Sequence, residues 1–255
     1  MRLLFLVFIA LCSFMLVGCK TTTLDQQYKG QTDKQIFDRA EHNLKRGRFE
    51  TASKDFEALD TLYPFGEYSQ QAQLDIIYAY YRNGDADSAL AAADRYIRLY
   101  PRSSDIDYVY YMKGLIDMGP QENWLDRWIR TNPTYRDVSG MEQAYQDFSL
   151  MIERFPQSSY VPEARKRMQY IRNVLAQHYL QIAQYYERRK AYVAAANRAG
   201  DVVRNYPGTP QVTPALGVMV RSYRALGETS MANDALQVLV NNYPNSPEAK
   251  RLRGV

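Results

Sequence analysis

Apolar positions along this chain recur with helical spacing. Leu74, Ile77, Tyr78 and Tyr81 fall on one face of a 3.6-residue period, and Val218-Met219-Val220-Arg221-Ser222-Tyr223 is a second helix-A stretch further on. Each apolar stretch breaks at a polar turn, Asn83-Gly84-Asp85 in the first case and Leu226-Gly227-Glu228 in the second. The breaks are periodic. An aromatic-proline pair recurs at Tyr63-Pro64, Tyr100-Pro101, Phe155-Pro156, Tyr206-Pro207 and Tyr243-Pro244, with proline spacings of 37, 55, 51 and 37.

Other positions keep phase with those prolines. Twelve residues before each stands Ala52, Ala89, Ala144, Ala195 or Ala232. Eight before stands Phe56, Ala93, Phe148, Ala199 or Leu236, and seventeen before stands Gly47, Gly84, Ser139, Lys190 or Gly227. This is the second half of a tetratricopeptide repeat. The glycine or its substitute turns the chain between helices A and B. The alanine lets two helices approach, the larger residue fills the gap to a neighbour, and proline ends helix B. The pattern predicts an all-α, right-handed superhelical solenoid of about five helical hairpins.

The irregular spacings locate what departs from the repeat. The 55-residue interval exceeds 37 by 18, and its surplus lies at about residues 119–139. Trp124 and Trp128 stand there at i and i+4 beside Leu125 and Ile129, one apolar stripe on a short helix. Such a stripe either folds back onto its own solenoid or meets a partner, since tryptophan is enriched at interface hot spots. The 51-residue interval contains no Gly or Pro from Glu163 to Lys190, which predicts one lengthened helix A.

The first residues do not belong to the repeat. Arg2 precedes an apolar run from Leu3 to Val17, fifteen residues and short for a membrane span. A charged start and a short apolar core describe a secretory signal peptide at 1–18. Leu16-Val17-Gly18-Cys19 resembles the lipobox, in which the signal is cut before a cysteine that is then acylated. We therefore expect Cys19 to carry N-palmitoyl and S-diacylglycerol groups. The polar residues 20–31 read as a flexible tether, residues 32–158 as repeats one to three, and residues 159–255 as repeats four and five. Lys20 rather than Asp after the cysteine resembles outer-membrane sorting.

Composition narrows the function. The chain has 255 residues with 32 Lys plus Arg against 28 Asp plus Glu, so a net charge of +4 gives no footprint for nucleic acid. The two cysteines, Cys12 and Cys19, form no disulfide once the signal is removed. His42 and His178 lie in different repeats and begin no metal-ligand motif. Asp55, Glu57 and Asp60 read as a solvated helix face. No phosphate loop or nucleophile elbow is present, so we expect a binding module with no cofactor and no catalytic residues.

Tyrosine is the outlier at 22 residues. The usual groove-facing phase of helix A selects Phe37, Glu41 and Leu44, then Gln71, Leu74, Tyr78, Tyr81 and Arg82, then Tyr108, Tyr111, Leu115 and Met118. Repeats four and five contribute Gln177, Leu180, Gln184, Glu187, Arg188, Arg221 and Arg224. The first set is aromatic and suits an extended peptide with alternating apolar side chains, although about half of these tyrosines should serve helix packing instead. The second is polar and basic, and suits a protein partner.

The stretch Tyr63-Pro64-Phe65-Gly66-Glu67-Tyr68-Ser69-Gln70-Gln71-Ala72-Gln73-Leu74 resembles the BamD family of lipoproteins of the bacterial β-barrel assembly (BAM) machinery. So do Asp107 to Leu115, Ala191 to Arg198, and the lipobox. The resemblance implies a periplasmic scaffold held by lipid on the inner leaflet of the outer membrane. It implies partners as well: a BamA-like barrel subunit, other lipoproteins of the complex, and C-terminal targeting signals of unfolded outer-membrane proteins. Arg198 matches a family position that looks like a salt-bridge partner for the barrel subunit, though an ordinary solvated arginine fits there equally. With Arg188, Trp124 and Trp128 it completes the candidate partner contacts. A repeat lipoprotein serving peptidoglycan enzymes or DNA-uptake competence is the alternative.

Overall fold

A computed structural model describes residues 24–119 and 138–253, and Cys19, Trp124 and Trp128 lie outside them. Among the described residues the structure is helical, without strands. By contacts the chain divides after Ala79 into two compact units.

In the first unit, α1 (Leu24–Gln27) leads to the hairpin α2 (Asp33–Lys45) and α3 (Phe49–Leu62), and α4 (Ser69–Asn83) begins. Helix α2 starts in a capping box: Thr32 Oγ1 accepts from the Gln35 amide at 3.3 Å and Gln35 Oε1 accepts from the Thr32 amide at 2.9 Å. Ile36, Ala40, Ala52, Phe56, Leu59 and Ala72 form the core, and Tyr28 belongs to it. Tyr28 is only 3% exposed, so part of the stretch read as a tether belongs to the core of this unit.

Most of the second unit continues the hairpin pattern. Helix α4 ends at Asn83 and is followed by α5 (Ala86–Leu99); α6 (Ile106–Asp117) is followed by α7 (Ser139–Arg154). Then come α8 (Val161–Arg188) with α9 (Tyr192–Asn205), α10 (Val212–Leu226) with α11 (Thr229–Asn242), and a short α12 (Pro247–Arg253). Helix α8 runs unbroken for 28 residues, as its lack of glycine predicts.

The repeat positions act as their chemistry requires. Tyr63, Tyr100, Phe155, Tyr206 and Tyr243 cap α3, α5, α7, α9 and α11, with φ between −124° and −134°. Their ψ of 48–62° takes the backbone out of the helical region, which a following proline disfavours. The five phased alanines are all buried. Gly47, Gly84 and Gly227 take positive φ in the A–B turns, and Lys190 takes φ 60° at the equivalent place without being glycine. In repeat three the left-handed residue is Gly119, while Ser139 is the first residue of α7: the insertion separates the turn from helix B. Leu236 is only half-buried, packed against a core of Ala235, Leu239, and Ala249 and Leu252 of α12.

Candidate functional site

A buried polar cluster pins the entry to the first unit. Asp55 lies 3% exposed on α3, not on the solvated face its surroundings suggested. Its carboxylate accepts from Tyr28 Oη at 2.9 Å, Arg39 Nε at 3.1 Å and Asn43 Nδ2 at 2.9 Å. A buried carboxylate needs such partners, since an unpaired one is costly. Burial, then the hydrogen bond and charge of Asp55, push the Tyr28 hydroxyl up to about 12, so it stays a donor. Asp60, read with Asp55 as solvated, accepts from Gln73 Nε2 at 2.7 Å.

The proposed aromatic surface divides between the units. In the first, Phe37 is half-buried, stacked on Tyr68 at 5.0 Å and tilted against Phe56 at 6.1 Å. Leu74 is buried among the core, which removes it from the open face. Tyr78 is partly exposed and meets Phe49 edge-on at 6.4 Å. Asp75 stands beside them, and burial, reinforced by the neighbouring Glu41, raises its carboxyl to about 7.

In the second unit Tyr81 and Tyr108 are partly exposed. Tyr111 is only 7% exposed: it stacks on Tyr160 at 4.9 Å, and its hydroxyl accepts from Arg167 Nε at 3.1 Å. It packs α6 against α8 and is not a groove residue. Tyr160, which sequence reasoning left out, also meets Tyr108 at 5.7 Å. It lies after Phe155-Pro156, in a linker where repeat phase predicts nothing. Met118 and Leu180 are likewise buried.

The basic end is less open than its composition suggests. Arg221 Nε and Nη2 donate to Glu187 at 2.6 and 3.1 Å, and Nη1 donates to Glu248. This guanidinium is neutralised between α8, α10 and α12 and offers no free positive charge. Glu248 belongs to α12, whose Ser246 cap and Pro247 start were legible signals, because Ser246 Oγ accepts from the Ala249 amide at 3.1 Å.

Two candidates do face solvent. Arg188 is exposed at the end of α8, beside a hollow of about 280 Å³ lined by His178, Gln181, Ile182, Gln184, Tyr185 and Tyr186. Tyr185 is 47% exposed, and the Arg189 guanidinium lies 5.3 Å from its ring centre. Arg198 is exposed on α9 and only 3.7 Å from Asp201, a carboxylate that Arg204 also engages. Such surface pairing is weak, roughly 0–1 kcal/mol, so an acidic partner could recruit Arg198 at little cost.

Among the described residues, no helix is long and apolar enough to cross a membrane, and no His, Cys, Asp or Glu group is arranged to hold a metal.

Comparison with known proteins adds the rest. The outer membrane protein assembly factor BamD of Xylella fastidiosa (strain Temecula1) is 35% identical over 246 residues, covering 96% of this chain and 84% of that protein. BamD of Vibrio cholerae (strain El Tor Inaba N16961) is 36% identical, covering 82% of this chain and 86% of its own. BamD of Neisseria meningitidis (strain MC58) is 34% identical, covering 85% and 81%. A solved structure of the MamA protein aligns over 83% of this chain and 92% of its own, at 14% identity and a TM-score of 0.34. The family described as YfiO, outer membrane lipoprotein, matches residues 29–239, and with these relatives it shows that this chain belongs to that lipoprotein family.

Proposed function

We propose that this lipoprotein is a non-catalytic scaffold of outer-membrane β-barrel assembly, anchored through acylated Cys19 to the periplasmic face of the outer membrane. The observation carrying the reading is the match to assembly factors over most of both chains. It has two binding tasks. The exposed end of α8, with Tyr185 and Arg188, and Arg198 on α9 receive the BamA-like barrel subunit. Arginine and tyrosine are residues on which protein interfaces concentrate energy. The partly exposed aromatics, Phe37 and Tyr78 in one unit and Tyr81 and Tyr108 in the other, receive C-terminal signals of unfolded outer-membrane proteins. Other lipoproteins of the complex, and the insertion carrying Trp124 and Trp128, complete the assembly.

Affinity capture from detergent-solubilised outer membranes tests this. The barrel subunit should copurify, and Arg188→Glu with Arg198→Glu should reduce its recovery while the circular dichroism spectrum is unchanged. Recovery of peptidoglycan enzymes without a barrel-assembly subunit would overturn the proposal.

A further inference from the structure

The Tyr63-Pro64-Phe65-Gly66 turn contains a side chain the repeat does not need. After the other four aromatic-proline pairs stand Arg102, Gln157, Gly208 and Asn245, all polar or glycine. Here stands Phe65, 99% exposed. Its turn is well held. The Gly66 amide donates to the Tyr63 carbonyl at 3.0 Å, the Ser69 amide to the Gly66 carbonyl at 3.1 Å, and Ser69 Oγ to the Pro64 carbonyl at 2.8 Å. A fixed turn that displays a phenyl ring to solvent leaves the ring's apolar surface without an intramolecular gain.

The turn sits where the chain enters the unit. Tyr63 Oη donates to the Gln31 carbonyl at 2.6 Å. Gly66 packs so closely on the start of α2 that a Cβ there would lie 3.0 Å from Asp33 Oδ2. Tyr28, fixed to Asp55, is nine residues from Cys19. Nine residues span at most roughly 30 Å when extended, and the helical turn α1 shortens that reach. An anchor on Cys19 therefore keeps this end of the unit close to the bilayer.

We propose that Phe65 enters the bilayer interface as a second membrane contact beside the acyl anchor. The proposal rests on the reading that this end of the chain is held at the membrane. One aromatic ring binds a membrane weakly by itself, but tethering supplies the local concentration it lacks. Its surroundings carry both signs, Glu67 two residues on and Lys34 close enough to feel that carboxylate, so the contact suits a zwitterionic phospholipid surface and depends little on salt. Together the anchor and the ring would restrict how this unit turns against the membrane.

The test places an environment-sensitive dye on F65C in the acylated protein on phosphatidylcholine–phosphatidylethanolamine vesicles. Cys12 leaves with the signal and Cys19 is blocked, so only position 65 reacts. The expected result is a blue-shifted emission that shallow lipid-borne quenchers extinguish, whereas the same dye on K54C stays water-like. A parallel sample, residues 20–255 with an N-terminal polyhistidine tag on nickel-chelating lipid, removes dependence on acylation. Mass spectrometry of the first residue tests acylation separately. A water-like, unquenched dye at position 65 on both surfaces overturns the proposal, as does burial of the dye only when a soluble protein partner is added.

Discussion

Tyr28→Phe deletes one oxygen and keeps the ring. The lost group is one of three side chains donating to Asp55, a carboxylate that is 3% exposed. A hydrogen bond to a charged group contributes about 1.5–3 kcal/mol, more than a neutral pair. Asn43 and Arg39 remain, so the carboxylate is left under-satisfied and not bare, and about 2 kcal/mol is the central value. In a repeat protein stability is nearly a sum of local and nearest-neighbour contributions. The loss should therefore appear as local opening. At about 1.4 kcal/mol per tenfold, amide exchange in α2 and α3 should accelerate roughly 30-fold. Exchange in α10 and α11, far along the chain, should not change. Asp55→Asn supplies the comparison: it exchanges a carboxylate for an amide that cannot accept all three donors, and should accelerate the same amides further. Unchanged exchange in α2 and α3 would refute the view that Asp55 needs its tyrosine. Equal acceleration throughout the chain would refute the local character of the cluster.

Other perturbations test different parts of the fold. Asp75 loses its proton near 3.8 when unfolded and near 7 when folded, so the folded state holds the extra proton in between and stability falls as pH rises through that window. The span, at 1.36 kcal/mol per pH unit, sets a ceiling of about 4 kcal/mol; Asp75→Asn should flatten the profile between about pH 4 and pH 7 in urea titrations, and an unaltered slope would contradict the assignment. Gly114→Ala would put a Cβ 2.6 Å from the Phe148 ring, where α6 crosses α7, and should destabilise by about 1–3 kcal/mol, read as a lowered urea midpoint. Arg221→Met leaves Glu187 and Glu248 facing each other without their shared cation, and limited proteolysis should then cut α12 faster than in the unaltered protein.

Periodicity exposed the hairpins because the repeat is written in steric terms. An alanine where helices touch, a left-handed residue at the A–B turn and a proline after the cap each serve one local geometry. Lys190 shows that the position, not glycine itself, defines the turn. The surface was harder to read for the same reason. Gln71 and Tyr108, 37 residues apart, occupy matching phases of helix A, yet Gln71 is exposed while Tyr160 from a linker packs against the ring of Tyr108 at 5.7 Å. Nothing in the phase of helix A records what a linker will place upon it. Asp55 failed in the opposite sense. Its neighbours Lys54 and Glu57 suggest a solvated face, and only the 27-residue return to Tyr28 shows why it is buried.

These departures also explain why charge counting misled at the basic end. Arg221 and Arg188 are both arginines of late repeats, but Arg221 lies where three helices meet, with two carboxylates to match. A guanidinium in that position costs desolvation that only such partners offset, so the fold itself consumes its charge. Arg188 follows Glu187 directly as the last residue of α8, and its side chain is exposed. The charge left for a partner is therefore set by helix ends and not by composition. Arg188 at the tip of α8 and Arg198 on α9 are exposed cations of this kind, available to the acidic partner proposed above.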